Sequence, residues 1–209
     1  MKKNAFFINI NENILIIFLI IFSLLINQYY GNQGVFPVDS FAHFDSGFRI
    51  LLGEHPFKDY WIVSGPLLDY IQAGFFYFFG VNWQSYIFHA SLFNAILTLS
   101  TFFVLRNFNL NIYYSFLYSL LFSVLAYPTS GTPFADHHSA FFSLMGVYSL
   151  ILGIKLEKKN ILDFITHFFR ICFFFKTSSF GIYNCFYIFS FNFFFFNTKK
   201  ILLDKVFFN

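Results

Sequence analysis

At 209 residues, 57% hydrophobic and only 11% charged, with a mean hydropathy of +0.62, the chain is far more apolar than a soluble domain, where about a quarter of residues are charged. That excludes a water-soluble globular fold and points to a protein built into a membrane. The net charge of +3 carries no nucleic-acid signature, because no basic patch is interleaved with aromatics; the information lies in where Lys and Arg fall relative to the apolar runs.

The first apolar run, Ile14 to Tyr30, follows Lys2 and Lys3 and ends in a tyrosine pair. At about 1.5 Å per residue it can just cross a hydrocarbon core of about 30 Å. No small-residue cleavage site follows it, so residues 1–30 read as a transmembrane anchor rather than a signal peptide, with a cytoplasmic N-terminus. Residues 31–84 read as an external loop with juxtamembrane helices, and they hold Asp39, Asp45, Glu54, Asp59 and Asp69, half of the ten acidic residues. Within this loop Phe41, Phe44, Phe48 and Leu51 recur at helical spacing after Pro37. The run Pro66 to Gly80 carries Asp69 and Gln72 and falls short of the roughly 20 residues a crossing needs, so it reads as a helix lying along the interface.

Three further spans are expected within residues 85–159: Ser85 to Leu105, Asn111 to Tyr127 and Ser139 to Ile154. With the short helix kept out of the crossing, Arg106, Lys155, Lys158 and Lys159 all fall on the cytoplasmic side, as the positive-inside rule requires. The same arrangement brings the carboxylates of the first loop and the stretch Thr132 to His138 to one external face. Residues 160–209 form a Phe-rich, low-complexity tail that reads as one or two more spans or as a stretch outside the native coding frame. The fold class is therefore all-α: a polytopic helical membrane protein with an external interfacial helical loop between its first two transmembrane helices.

Several residues carry two readings at this stage. Asp39 suits a helix N-cap as well as a catalytic carboxylate, and His43, four residues on, shares its helical face. Asp45 and Arg49 form an i, i+4 pair; Lys58 is either a snorkelling lysine or a phosphate contact, beside Asp59, Tyr60 and Trp61. Asp136, His137 and His138 sit at the mouth of the last span, where capping competes with a site, and adjacent histidines lack the spacing of a metal knot. His89 reads as a hydrogen-bonded core residue, and Cys172 and Cys185 as small hydrophobes without metal or disulfide spacing. No nucleotide, hydrolase or metalloprotease motif is present, and no cofactor is indicated.

The order of the pieces is more informative than any one of them. An anchor, an external loop with the early Asp39, then Gly53 in "LLGEHPFKDYW", then "GPLLDY" leading into "FFYFFG", resembles the N-terminal part of the polytopic GT-C glycosyltransferases, in particular the protein O-mannosyltransferases and lipid A aminoarabinose transferases. The resemblance covers residues 10 to 155. It implies transfer of a sugar from a polyprenyl-phosphate donor to a glycolipid, polysaccharide or protein acceptor on the non-cytoplasmic face of a bacterial inner membrane. It makes Asp39 the acid/base or acceptor-orienting residue and Asp136 the second catalytic acid, with Arg49 and Lys58 on the lipid-linked phosphate. His43, Asp59, His137 and His138 complete the expected substrate-binding set.

Two departures stand out: Ser40 occupies the place where many relatives carry a second carboxylate, and those relatives are longer, so the chain is expected to hold only the opening part of such an enzyme. The competing class is a non-catalytic membrane protein, a transporter fragment or an assembly subunit, against which the expected spans offer little polarity beyond His89 and Asn94.

Overall fold

The computed structural model describes residues 11–34, 37–62, 64–128 and 130–156, together with 167, 168, 171, 174 and 175. The readings on Lys158, Lys159, Cys172, Cys185 and most of the tail lie outside these residues. Six helices make up the described chain: α1 Glu12–Gly31, α2 Pro37–Leu51, α3 Leu67–Phe79, α4 Trp83–Asn107, α5 Ile112–Leu125 and α6 Ala135–Leu156. The protein is an all-helical membrane protein. Three helices, α1, α4 and α6, are long and apolar enough to cross a bilayer.

Asparagine starts three of the helices for one reason. The side chains of Asn11, Asn82 and Asn111 accept the otherwise orphaned amides of Asn13, Ser85 and Tyr113, at 3.0, 2.8 and 2.9 Å. Two boundaries differ from the sequence reading. Helix α5 ends at Leu125 because Pro128 disfavours helical geometry just before it, leaving 14 residues, about 21 Å, where a full span was expected. Helix α6 begins at Ala135, so Asp136, His137 and His138 lie in its first turn rather than ahead of it.

Helix α4 is central, packing against α1, α3, α5 and α6. The faces it meets are small and polar. In α1 the buried positions are Leu15, Leu19, Ser23, Asn27 and Gly31, one every four residues; in α5 they are Ser115, Ser119 and Ser123. The large side chains Ile17, Phe18, Leu25, Leu117, Leu121 and Leu125 face outward. Lipid is as apolar as leucine, so burying leucine gains little there; small residues instead let backbones approach and hydrogen-bond. Asn94 Nδ2 accordingly donates to Ser23 O at 3.1 Å and Ser123 O at 3.0 Å, and Asn27 Nδ2 to Ser91 Oγ at 3.0 Å. The spans are thus more polar inside than His89 and Asn94 alone indicated.

The two ends of this bundle are distinct. At one, Arg106 Nε meets Glu12 Oε1 at 3.0 Å and Lys155 Nζ donates to the carbonyl of Asn107. At the other, α2, α3 and the α5–α6 loop form a cap. Gly31 and Gly131 touch there: a Cβ on Gly131, whose φ is 68°, would lie 2.5 Å from Gly31 Cα. Phe44 ties α2 to the cap by edge-on contacts with Phe76 at 4.9 Å and Tyr86 at 5.4 Å. Helix α3, 13 residues or about 20 Å, contributes Leu68 to a cluster with Ala135 and Phe175, at the capped end.

Candidate functional site

Helix α2 turns its faces opposite to a soluble helix. Phe41, Phe48 and Leu51 of its apolar stripe are exposed, whereas Ser40, His43, Ser46 and Gly47 are buried against α3 and the α5–α6 loop. An interfacial helix does this because its apolar side meets the membrane and its polar side the protein. Gly47 permits the close approach, since a Cβ there would sit 2.8 Å from Gln72 Cγ.

Small hydroxyls then hold α2 to the start of α6. Ser40 Oγ lies 3.0 Å from Thr132 Oγ1, and the Tyr86 hydroxyl, reaching up from α4, donates to Ser40 O at 2.7 Å and is shared with Pro133 O at 3.3 Å. Ser40 is therefore a fastening between the helix that carries Asp39 and the loop that leads to Asp136. Asp39 itself is the third residue of α2, in its first turn rather than at its cap.

The result is a cavity of about 450 Å³, within the range of about 300–1,000 Å³ typical of small-molecule sites. Asp39, His43, Asp45, Asp69 and Asp136 line it, with Trp61, 80% exposed, at its margin. Its inner wall is a hydrogen-bonded series. His43 Nδ1 donates to Asp69 Oδ1 at 2.7 Å, and Ser46 Oγ donates to Asp69 Oδ2 at 2.8 Å. The Tyr60 hydroxyl lies 2.8 Å from Ser46 Oγ. Partial burial, helped by the charge of Asp69 and outweighing the Ser46 hydrogen bond, pushes the Tyr60 phenol above its ordinary value, so it remains a donor near neutral pH.

The chain matches no family model, no characterised protein and no solved structure. The geometry alone therefore carries the functional reading.

The residues singled out in the sequence separate into three groups. Asp39, His43 and Asp136 come together at the cavity. Arg49, Lys58 and Asp59 do not line it. Arg49 is held by Asp45 at 2.6 Å and Glu54 at 3.2 Å, which raise its already high pKa, Asp45 first, and its guanidinium lies over the Tyr60 ring at 5.4 Å. Asp59 accepts the His55 amide at 2.8 Å and so closes the turn that carries Phe57 at φ 66°. Lys58, 73% exposed at its side chain, makes a long ion pair with Asp59 at 3.8 Å.

The paired histidines form the third group and do not line the cavity. His137 Nδ1 bonds Ser130 Oγ at 3.0 Å. His138 is fully buried, 2.6 Å from the Tyr127 hydroxyl and 3.1 Å, Nε2 to Nε2, from His89, which bonds Gln72 Oε1 at 2.8 Å. His138 Nδ1 also lies 3.2 Å from Phe134 O, so the ring nitrogens of both histidines are engaged on each side and the donor order is set by the tautomers. These two histidines are structural ties among α3, α4 and α6.

Sequence reasoning left Asp69, Ser46 and Tyr60 out of the site. Asp69 had a signal, being the sole carboxylate of an apolar helix and 1% exposed in the fold. Ser46 had none, and Tyr60 was read only as an interface aromatic beside Lys58. Among the described residues no group of three or more His, Cys, Asp or Glu is placed to hold a metal ion.

Proposed function

We propose that this chain is part of a membrane glycosyltransferase that moves a sugar from a polyprenyl-phosphate donor to an acceptor outside the cytoplasm. One observation carries the reading: Asp39 and Asp136, from separate loops of the sequence, line a single cavity at the bundle end opposite Arg106 and Lys155. Positive charge marks the cytoplasmic side, so that end faces outward and the N-terminus lies inside.

Charge divides the labour. Four carboxylates and no Lys or Arg line the cavity among the described residues. At an effective dielectric constant near 20, each carboxylate at about 6 Å repels one phosphate charge by about 3 kcal/mol. The cavity therefore takes the acceptor hydroxyl, with Asp39 accepting its hydrogen bond. The donor phosphate stays at the margin, where Lys58 can reach it and the exposed Trp61 and Phe57 offer an aromatic surface to the isoprenoid.

The test uses the protein in lipid nanodiscs with undecaprenyl phosphate carrying radiolabelled mannose or aminoarabinose, and water as a stand-in acceptor. Sugar release that D39N cuts by about a hundredfold supports the reading. Absence of release from both donors with the intact protein overturns it. A second reading, a transporter or assembly subunit, draws on the buried Asn27 Oδ1, Asn94 Oδ1, Thr98 Oγ1 and Ser119 Oγ, which have no partner among the described residues. Solute uptake by proteoliposomes that N94A abolishes would favour it.

A further inference from the structure

We infer that Nε2 of His43 is the general base of the cavity, with Asp69 as its positioning partner; this rests on the transferase reading for the reaction it serves. Asp69 is 1% exposed and both of its oxygens are engaged, Oδ1 by His43 Nδ1 at 2.7 Å and Oδ2 by Ser46 Oγ at 2.8 Å. Tyr60, 2.8 Å beyond Ser46, completes the support. Each of these donors points its hydrogen toward the carboxylate: Tyr60 O–H to Ser46 Oγ, Ser46 O–H to Oδ2, and His43 Nδ1–H to Oδ1. With both Asp69 oxygens accepting, the ring proton sits on Nδ1 and Nε2 is left as a lone pair.

The surroundings of that lone pair select its role. His43 is 9% exposed, lines the cavity, and makes no hydrogen bond through Nε2 among the described residues. The titratable groups around it are Asp69 from α3, Asp39 and Asp45 from α2, Asp136 from α6 and Tyr60 from the α2–α3 connection, with His89 of α4 and His138 of α6 within electrostatic reach behind it. Nε2 is the ring nitrogen left without a hydrogen-bond partner among the described residues, and it stands beside Asp39 in the same cavity, so it is placed to receive the proton of a hydroxyl that Asp39 orients.

In the transfer step the acceptor oxygen, oriented by Asp39, forms a bond to the anomeric carbon. The bond from that carbon to the phosphate oxygen breaks and its electron pair leaves on the phosphate. The acceptor proton moves to His43 Nε2, giving an imidazolium against the Asp69 carboxylate, and is returned to solvent before the next turnover.

Two measurements test this. With the undecaprenyl-phosphate donors, sugar release should rise with pH through the imidazole range; H43Q should lower it by about a hundredfold and remove that limb. D69N, which keeps the shape of the side chain, should lower release by about tenfold and move the midpoint down, because an opposite charge is lost. Release by H43Q within twofold of the unaltered protein, with the same limb, overturns the inference.

The second measurement needs no donor. In protein labelled with nitrogen-15 histidine, the His43 signals, identified by their loss in H43Q, should show Nδ1 protonated throughout and Nε2 titrating, with a lower midpoint in D69N. A neutral ring protonated on Nε2 instead, or a ring that does not titrate, overturns the inference. If the intact protein releases no sugar while His43 titrates as described, the transferase reading falls and the base assignment stands.

Discussion

The seam inside the bundle and the wall of the cavity are both buried and polar, yet they solve the problem of burial in opposite ways. The seam uses neutral amides and hydroxyls that bond backbone carbonyls one turn away or on the next helix, as Ser23 does to Leu19 O at 2.6 Å and Asn94 to Ser123 O at 3.0 Å. The wall uses a carboxylate, an imidazole and two hydroxyls that bond one another across α2, α3 and their connection. A neutral group satisfied by backbone tolerates loss of its neighbours; a buried carboxylate satisfied by side chains does not. The seam is therefore built for packing, and the wall for holding one charge in one place.

The largest loss is expected where the two regions meet. Gly131→Ala puts a Cβ 2.5 Å from Gly31 Cα and a side chain at φ 68°. Overpacking costs about 1–3 kcal/mol and a non-glycine residue at positive φ about as much again. Thermal unfolding in detergent should register the sum, and a variant as stable as the parent would show that the α5–α6 loop is not docked on α1.

Next comes the wall. Asp69→Ala leaves His43 and Ser46 without their acceptor and should cost about 1–3 kcal/mol, with a smaller loss for Asp69→Asn. Asn94→Ala in the seam should cost less, about 1 kcal/mol, since interhelical bonds in membranes average about 0.6 kcal/mol each and an Oδ1 without a partner among the described residues is removed with them. Equal losses at Asp69 and Asn94, read from the same unfolding curves, would erase the distinction between the regions. The smallest effect is expected at the exposed rim of the cavity, away from its hydrogen-bonded inner wall: Asp45→Asn breaks an exposed pair with Arg49 and should shift stability by less than about 1 kcal/mol, with little dependence on salt above physiological strength.

Much of the architecture was legible beforehand. The segments that became α1, α4, α5 and α6 stand out as apolar runs and α3 as one too short to cross, whereas the Asn caps and the early end of α5 before Pro128 came only with the fold. Orientation was not legible. A helix in lipid is apolar on nearly every face, so periodicity does not say which side of α4 or α6 turns inward, and adjacent His137 and His138 cannot be told apart until one is buried against Tyr127 and His89. In α2 the stripe of Phe41, Phe48 and Leu51 was visible, but its direction, outward, depends on what surrounds the helix.

What the residues determined by themselves is the class of protein and the place where charge gathers: apolar runs of this length and kind satisfy their backbone in a membrane as helices, and half of the carboxylates fall between Asp39 and Asp69, in segments too polar or too short to cross. What only the tertiary structure decided is which of those carboxylates do something together. Asp69 meets His43 across 26 residues, and Asp39 meets Asp136 across a cavity, because two glycines and a tyrosine hydroxyl bring α2 and α6 to the same end of α4. Close approach of backbones and the direction of a single hydroxyl are properties of the packed chain, and neither leaves a period in the sequence.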